Sequence, residues 1–159
     1  MSRKASSRPA SLEGRSERTR AVVYSIAAVI CIAGLADASY LTVQELTGGN
    51  VVCGGSASCS EVLGSAYAKI GSVPVAAVGV LAYFSAFALA TFAAFGYARA
   101  RQLFAFAVSA MFAGTLWLLY VQAFLLHAFC RYCLFSAAMT FLLAGLVIAT
   151  PSGRKAKAP

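Results

Sequence analysis

The stretch that decides the fold is residues 103–150, LFAFAVSAMFAGTLWLLYVQAFLLHAFCRYCLFSAAMTFLLAGLVIAT. Two long apolar runs are separated here by a short connection that carries Cys130 and Cys133 in a C-x-x-C pattern. The first run has no charged residue, and it is longer than the roughly 20 residues that a helix needs to cross a bilayer. Because the connection is so short, the pattern predicts two antiparallel transmembrane helices with the cysteine pair at their junction.

The rest of the chain has the same apolar character. It is 60% hydrophobic and only 11% charged, which excludes an ordinary soluble domain. Four runs are long enough to span a membrane, at about residues 21–43, 74–97, 102–126 and 131–150. We therefore predict an all-α membrane protein, a four-transmembrane-helix bundle over residues 21–150. Residues 1–20 are predicted to be a disordered basic tail, and residues 151–159 a second basic tail.

The charge distribution predicts the orientation of the bundle. Of the 13 basic residues, Lys69 and Arg131 lie on one side of the four spans and the other 11 lie on the opposite side. By the positive-inside rule both termini are cytoplasmic, and the cysteine-bearing connections are extracytoplasmic. The net charge of +8 is thus a topology signal rather than a sign of nucleic-acid binding.

The long loop between the first two spans carries a second cysteine pair, Cys53 and Cys59, in a Gly/Ser-rich segment. The sequence from Ser58 to Glu61 fits an S-x-x-E capping box, which predicts a helix beginning at this point. That helix is too short to span, so we expect a short interfacial helix in the first extracytoplasmic loop.

The cysteines suggest redox chemistry. A C-x-x-C pair at a helix start can pass two electrons by thiol–disulfide exchange, because the helix end and the neighbouring Arg131 favour a thiolate. Two such pairs on one side of a membrane can act in series, with a lipid-soluble oxidant as the last acceptor. Cys31, within the first span, is expected to be a small inert apolar residue.

Other interpretations of these residues remain open. The cysteine pairs would also suit permanent structural disulfides in a non-enzymatic four-span protein. The four cysteines outside Cys31 could instead form a zinc site, with His127 as a spare ligand. Asp37 is costly at membrane depth and should face a partner or a cavity, either in an interhelical hydrogen bond or in proton transfer to a reduced quinone.

Over about residues 20–150 the chain resembles the vitamin K epoxide reductase (VKOR) family in its bacterial form. The resemblance rests on the four spans, the long first outer loop and several motifs. These motifs are Ser39-Tyr40-Leu41-Thr42, Cys53 with Cys59, Cys59-Ser60-Glu61-Val62-Leu63-Gly64-Ser65, and Cys130-Arg131-Tyr132-Cys133-Leu134. A DsbB-type protein would do the same job with the order of the two cysteine pairs reversed.

The resemblance implies a role for each motif residue. Cys133 would react with the quinone, either menaquinone or ubiquinone, and Cys130 would be its C-x-x-C partner. Cys53 would form the mixed disulfide with a DsbA-like thioredoxin-fold protein, and Cys59 would relay to Cys130. Ser65 matches a hydroxyl position near the quinone. The activity implied is a quinone-dependent thiol oxidoreductase of the bacterial cytoplasmic (inner) membrane that supports disulfide bond formation in secreted proteins.

The chain departs from the animal enzymes at two places. Ala137 stands where they carry a tyrosine, and the second span opens with Pro74-Val75-Ala76, without a counterpart to the asparagine that helps those enzymes bind vitamin K. These differences favour membrane quinone over an epoxide as the acceptor. Many bacterial relatives carry a fused thioredoxin-like domain after the fourth span, whereas this sequence ends at Pro159, so we expect a separate partner protein.

Overall fold

A computed structural model describes residues 10–47, 69–70 and 73–150. The elements in chain order are α1 (Ala10–Thr47), β1 (Lys69–Ile70), β2 (Val73–Pro74), α2 (Val75–Ala94), α3 (Ala98–Tyr120), a π-helical segment (Val121–Leu126) and α4 (Arg131–Ala149). The predicted interfacial helix, Cys53, Cys59 and Ser65 lie outside the described residues.

Four helices of the described chain are long and apolar enough to cross a membrane. The spans are Glu17–Thr47, Val75–Ala94, Ala98–Leu126 and Arg131–Ala149. Large apolar side chains point outward on every span, among them Val29, Phe106 and Ile148, as expected for helices that face lipid. The predicted four-transmembrane-helix bundle is therefore confirmed.

The N-terminal part of α1 differs from the sequence prediction, which treated residues 1–20 as a disordered tail. The helix begins at Ala10, so residues 10–20 continue the first span in helical form. These residues include Leu12, Glu13 and Arg15, which have high helix propensity. Extending an existing helix also requires no new nucleation, so the lack of an apolar pattern did not prevent helix formation.

The helices form a ring in chain order. α1 packs most extensively on α2 and also on α4, while α3 packs between α2 and α4. α2 and α3 are joined by a tight turn at Gly96, whose φ of 96° suits glycine alone. Its backbone N–H donates to the carbonyl of Ala93 at 3.1 Å, which closes the end of α2.

One half of the bundle is a tightly packed apolar core, here called the closed half. It comprises the first part of α1, the end of α2, the start of α3 and the end of α4. Small residues of α2 let the helices approach closely, and the ring of Tyr24 meets that of Phe104 edge to face at 5.7 Å. Its buried residues are Tyr24, Ala27, Cys31, Ala86, Ala90, Ala93, Ala100, Phe104, Val108 and Leu143.

A short antiparallel ladder precedes α2. Ile70 pairs with Val73 and Lys69 pairs with Pro74. Pro74 has φ −59° and ψ 137° and lies immediately before the first residue of α2. Because Pro lacks an N–H, it costs the helix start no hydrogen bond.

Candidate redox site

The connection between α3 and α4 begins with a change of helical geometry. α3 passes into the π-helical segment Val121–Leu126, which ends at His127 in the left-handed region with φ 50°. π segments and non-glycine residues with positive φ are both uncommon and often occur at functional sites. This local geometry redirects the chain within a few residues, so that Cys130 returns over the end of α3.

Gln122 binds the backbone of the connection between α3 and α4. Its side chain is 3% exposed, and its Oε1 accepts the backbone N–H of Cys130 at 3.1 Å. Its main-chain carbonyl also accepts the N–H of Ala128 at 3.2 Å. Buried N–H groups need partners, and here one buried amide residue supplies two of them. The backbone of the cysteine pair is therefore fixed by a residue eight positions earlier.

Cys130 lies at the start of α4, where the sequence pattern placed it. Its carbonyl accepts the N–H of Leu134 at 3.0 Å, and its side chain is fully buried. The Cys133 side chain donates a hydrogen bond to its sulfur, and this lowers the pKa of Cys130 from 9.0 to about 6 against the opposing effect of burial. The N–H groups of Tyr132 and Cys133 act in the same direction, although neither makes an ideal capping bond.

Cys133, in the first turn of α4, lines a large cavity between the helices that is partly open to its surroundings. The cavity has a volume of about 610 Å³ and is lined by residues from all four helices. Its walls are mostly apolar, contributed by residues such as Leu41, Val78 and Leu118. Cys130 is not among the lining residues. The two sulfurs of the pair thus have different surroundings, one within the buried connection and one at the cavity wall.

A cluster of hydroxyl groups forms one wall of the cavity. The Tyr83 hydroxyl is 2.8 Å from the carbonyl of Ser136, to which it donates, and 3.0 Å from the hydroxyls of Ser136 and Thr140. The Tyr83 ring crosses α1 at Gly34, where a β-carbon would collide with its Cε1 atom. Only glycine at position 34 therefore lets this ring reach α4.

Asp37 and Glu45 bring carboxyl groups to the same cavity from α1. The Oδ2 atom of Asp37 is buried and has no hydrogen-bond partner among the residues that the structure describes. The expectation that Asp37 faces a cavity is met, whereas the interhelical hydrogen bond considered from the sequence is not formed by this atom. The carboxyl group of Asp37 interacts electrostatically with Cys130, Cys133 and Tyr83.

An aromatic contact ties the cysteine pair to the end of α1. Tyr40 and Tyr132 pack with ring centroids 5.3 Å apart, and Gln44 donates from Nε2 to the Tyr40 hydroxyl at 3.0 Å. Tyr40 belongs to the Ser39–Thr42 motif and Tyr132 lies between the two cysteines. The structure thus brings together two motifs that are distant in sequence.

The structure bears on the predicted residues in different ways. Cys130, Cys133 and Cys31 are free thiols, and Cys31 is fully buried in the closed half. The proposed loop pair and Ser65 remain predictions, since they lie outside the described residues. Within the described ranges no group of three or more His, Cys, Asp and Glu is placed to hold a metal.

Sequence reasoning missed several residues of the site, among them Tyr83, Gln122 and Thr140. A signal for Gln122 was present, because it is the only amide in the run 103–126, and polar residues inside spans usually face the bundle interior. No comparable signal identified Tyr83 or Thr140, since hydroxyl residues are frequent in spans and most bond only to their own helix.

A four-helix membrane bundle with a C-x-x-C pair whose second sulfur lines a cavity between the helices has the arrangement of a membrane thiol–disulfide oxidoreductase. Comparison with protein families agrees with that class. The chain matches the sequence model described as "Vitamin K epoxide reductase family" over residues 25–148. Because this match covers most of the 159 residues, the chain belongs to the vitamin K epoxide reductase family.

Proposed function

We propose that this protein oxidises the dithiol of a DsbA-like thioredoxin-fold partner and passes the electrons to a membrane quinone, menaquinone or ubiquinone. The observation that carries the proposal is the position of Cys133, which belongs to a C-x-x-C pair and lines an apolar cavity of about 610 Å³. Cavities of this size and character suit small, mostly apolar ligands. A quinone headgroup with part of its isoprenoid tail is such a ligand.

The asymmetry of the pair supports a division of labour. Cys133 can reach a ligand in the cavity, whereas Cys130 is buried beside it with a lowered pKa. In the proposed reaction Cys133 gives its electron pair to the quinone and the Cys130 thiolate closes the disulfide. A thiolate is the nucleophile required for that closure. The two sulfurs lose two electrons, and the quinone gains two electrons and two protons.

The upstream part of the electron path follows from the resemblance of the loop motif. In this path Cys53 takes the mixed disulfide with the partner and Cys59 relays to Cys130, and the resemblance implies a position near the quinone for Ser65. A DsbA-like partner has a potential of about −120 mV, so its oxidant must have a higher potential than the glutathione pool provides. A membrane quinone meets this requirement. The cysteine pairs then lie on the extracytoplasmic side of the bacterial inner membrane, with both termini in the cytoplasm.

The test is quinone reduction by the purified protein in detergent, with dithiothreitol as electron donor and short-chain ubiquinone and menaquinone analogues as acceptors. We expect turnover in the wild type, loss of turnover in Cys133→Ala, and retention in Cys31→Ala, a matched control in the closed half. Absence of turnover with every quinone, in folded wild-type protein, would overturn the proposal.

A second donor tests the proposed order of the relay. Cys53→Ala should keep quinone reduction with dithiothreitol, a small donor that does not need Cys53 for docking, and lose it with a reduced thioredoxin-fold protein as donor. Equal losses with both donors would contradict the relay.

A further inference from the structure

We propose that Asp37 is the acid that protonates the quinone during its reduction in this cavity. This inference rests on the proposed function and adds a catalytic residue outside the cysteine pairs. The electron donors are two sulfurs, but the product also needs two protons on its oxygens. The cavity is mostly apolar, so a protein group beside the quinone is better placed than bulk water to deliver one of them.

The position of Asp37 on α1 fits this role. Asp37, Leu41 and Glu45 recur every four residues, which places them along one face of the helix, and all three line the cavity into which Cys133 points. Asp37 also interacts electrostatically with Cys133. A ligand that contacts the Cys133 sulfur is therefore within the same cavity as the Asp37 carboxyl group.

The hydrogen bonding around Asp37 differs from that around Tyr83, the cavity-lining residue whose hydroxyl could also donate a proton. Its Oδ2 is buried without a hydrogen-bond partner among the described residues. The Tyr83 hydroxyl, by contrast, already donates to Ser136 and contacts Thr140. Tyr83 would have to break that contact to donate to a ligand, whereas Asp37 has an atom available.

The charges around Asp37 complete the argument. Among the described residues, Asp37 interacts electrostatically with Tyr83 from α2, Cys130 from the connection, and Tyr132 and Cys133 from α4. Glu45 of α1 lines the same cavity. Of the described residues that line the cavity, those from α3 and the π-helical segment carry no charge, and none from any element is Lys, Arg or His. In mostly apolar surroundings without a neighbouring cation, the neutral form of a carboxyl group is favoured over the charged form.

The balanced step uses Asp37 once per turnover. The reduced pair begins with a Cys130 thiolate, a Cys133 thiol and the Asp37 carboxylic acid. A sulfur–sulfur bond forms between the cysteines and the S–H bond of Cys133 breaks. Two electrons pass to the quinone, one proton reaches it from Cys133 and the other from Asp37. The products are the disulfide, the quinol and the Asp37 carboxylate, which takes a proton from water before the next turnover.

The experiment measures kcat for quinone reduction against pH, with dithiothreitol as donor, in wild type, Asp37→Asn and Glu17→Gln. Glu17 is an exposed acid on the same helix, outside the cavity, and serves as the matched control. We expect Asp37→Asn to lower kcat by about 100-fold, as for removal of a general acid. Wild type should lose rate as pH rises through the ionisation of Asp37, and the variant should lack that alkaline decline.

Two further measurements keep the outcome specific. A single-turnover reduction of the Cys130–Cys133 disulfide by dithiothreitol should be unchanged in Asp37→Asn, since no quinone takes part. Asp37→Glu retains a carboxyl group and should keep the alkaline decline and at least about a tenth of the rate, and it replaces the asparagine variant if that protein does not fold.

An unchanged pH profile in Asp37→Asn, with wild-type turnover present, would overturn this inference and leave the proposed function intact. A loss of kcat and of the alkaline decline in Glu45→Gln, with both unchanged in Asp37→Asn, would also overturn it. Absence of wild-type turnover would instead contradict the proposed function itself.

Discussion

The two halves of the bundle differ in what their interior contains. The closed half is filled by alanines, aromatic rings and Leu143, with Cys31 buried among them. The other half, here called the cavity half, comprises the end of α1, the start of α2, the end of α3 with the π-helical segment, and the start of α4. Its helices surround an open volume of about 610 Å³.

Polar groups follow the same division. Gln122 and Thr140 are the buried polar side chains of the described chain, and both lie in the cavity half with Asp37. The cysteines divide likewise, since Cys31 sits in the closed half and the C-x-x-C pair at the cavity. The comparison teaches that packing and chemistry are separated along the bundle axis, so substitutions in the two halves should affect different observables.

The largest effect on stability should come from Leu143→Ala in the closed half. Leu143 is fully buried, and truncation leaves a cavity that costs about 3 kcal/mol of unfolding free energy. Quinone reduction by the protein that remains folded should be unchanged. The measurement is denaturant unfolding in detergent, followed by circular dichroism. Leu142→Ala, at a neighbouring residue that is 53% exposed, is the control and should cost much less.

Gly34→Ala should lower both stability and activity, because Gly34 leaves the space that the Tyr83 ring occupies at the boundary between the two halves. The added methyl group collides with that ring, and overpacking of this kind costs about 2 kcal/mol. Displacement of Tyr83 should also raise KM for quinone. Gly145→Ala has open space around the new β-carbon and should be neutral or slightly stabilising. Equal stability of the two variants would show that the Tyr83 contact is not tight.

Gln122→Ala should weaken the site with a smaller loss of stability. The substitution leaves the buried N–H of Cys130 without its partner, at a cost of about 1 kcal/mol or slightly more. The cysteine pair should become more mobile. We therefore expect a clear fall in kcat for quinone reduction together with only a small fall in melting temperature. Gln102→Ala, at an exposed position of α3, provides the control. A variant with normal kcat would contradict the supporting role of Gln122.

The smallest effect is the titration of one thiol. In the reduced protein the pKa of Cys130 is lowered to about 6, so thiolate absorbance should rise with a midpoint near that pH and be missing in Cys130→Ser. The folded-state pKa lies below the unfolded value, so this group stabilises the fold fully above about pH 9. That contribution declines as pH falls towards 6 and is absent below it. A midpoint near 9 would contradict the assigned hydrogen bond.

Much of the architecture could be predicted from sequence because membrane helices must be long, apolar and internally hydrogen-bonded. The four runs and the position of Cys133 in the first turn of α4 followed from that requirement alone. The N-terminal extent of α1 did not, since residues 10–20 are polar and their helicity depends on continuation from the span. Compositional reasoning treats such a segment as a tail.

The walls of the site could not be predicted in the same way. Tyr83 approaches α4 only because Gly34 opens a path across α1, and that relation exists between helices rather than within one. The contact between Gln122 and Cys130 depends on a π-helical turn, which apolar periodicity does not indicate. The cysteine motif could therefore be identified from sequence, while its supporting residues required the three-dimensional arrangement.

The π-helical segment Val121–Leu126 has a consequence for how this site tolerates change in length. In a π turn each hydrogen bond joins residues five positions apart instead of four, so the turn contains one extra residue. Each residue of an α-helix turns the chain by about 100°, given 3.6 residues per turn. Removing one residue here would convert the π turn into an α turn. The chain that follows, including Cys130, would then be rotated relative to the rest of α3. The orientation of the cysteine pair thus depends on the number of residues before it. Single-residue deletions in 121–126 should therefore lower activity far more than most substitutions there.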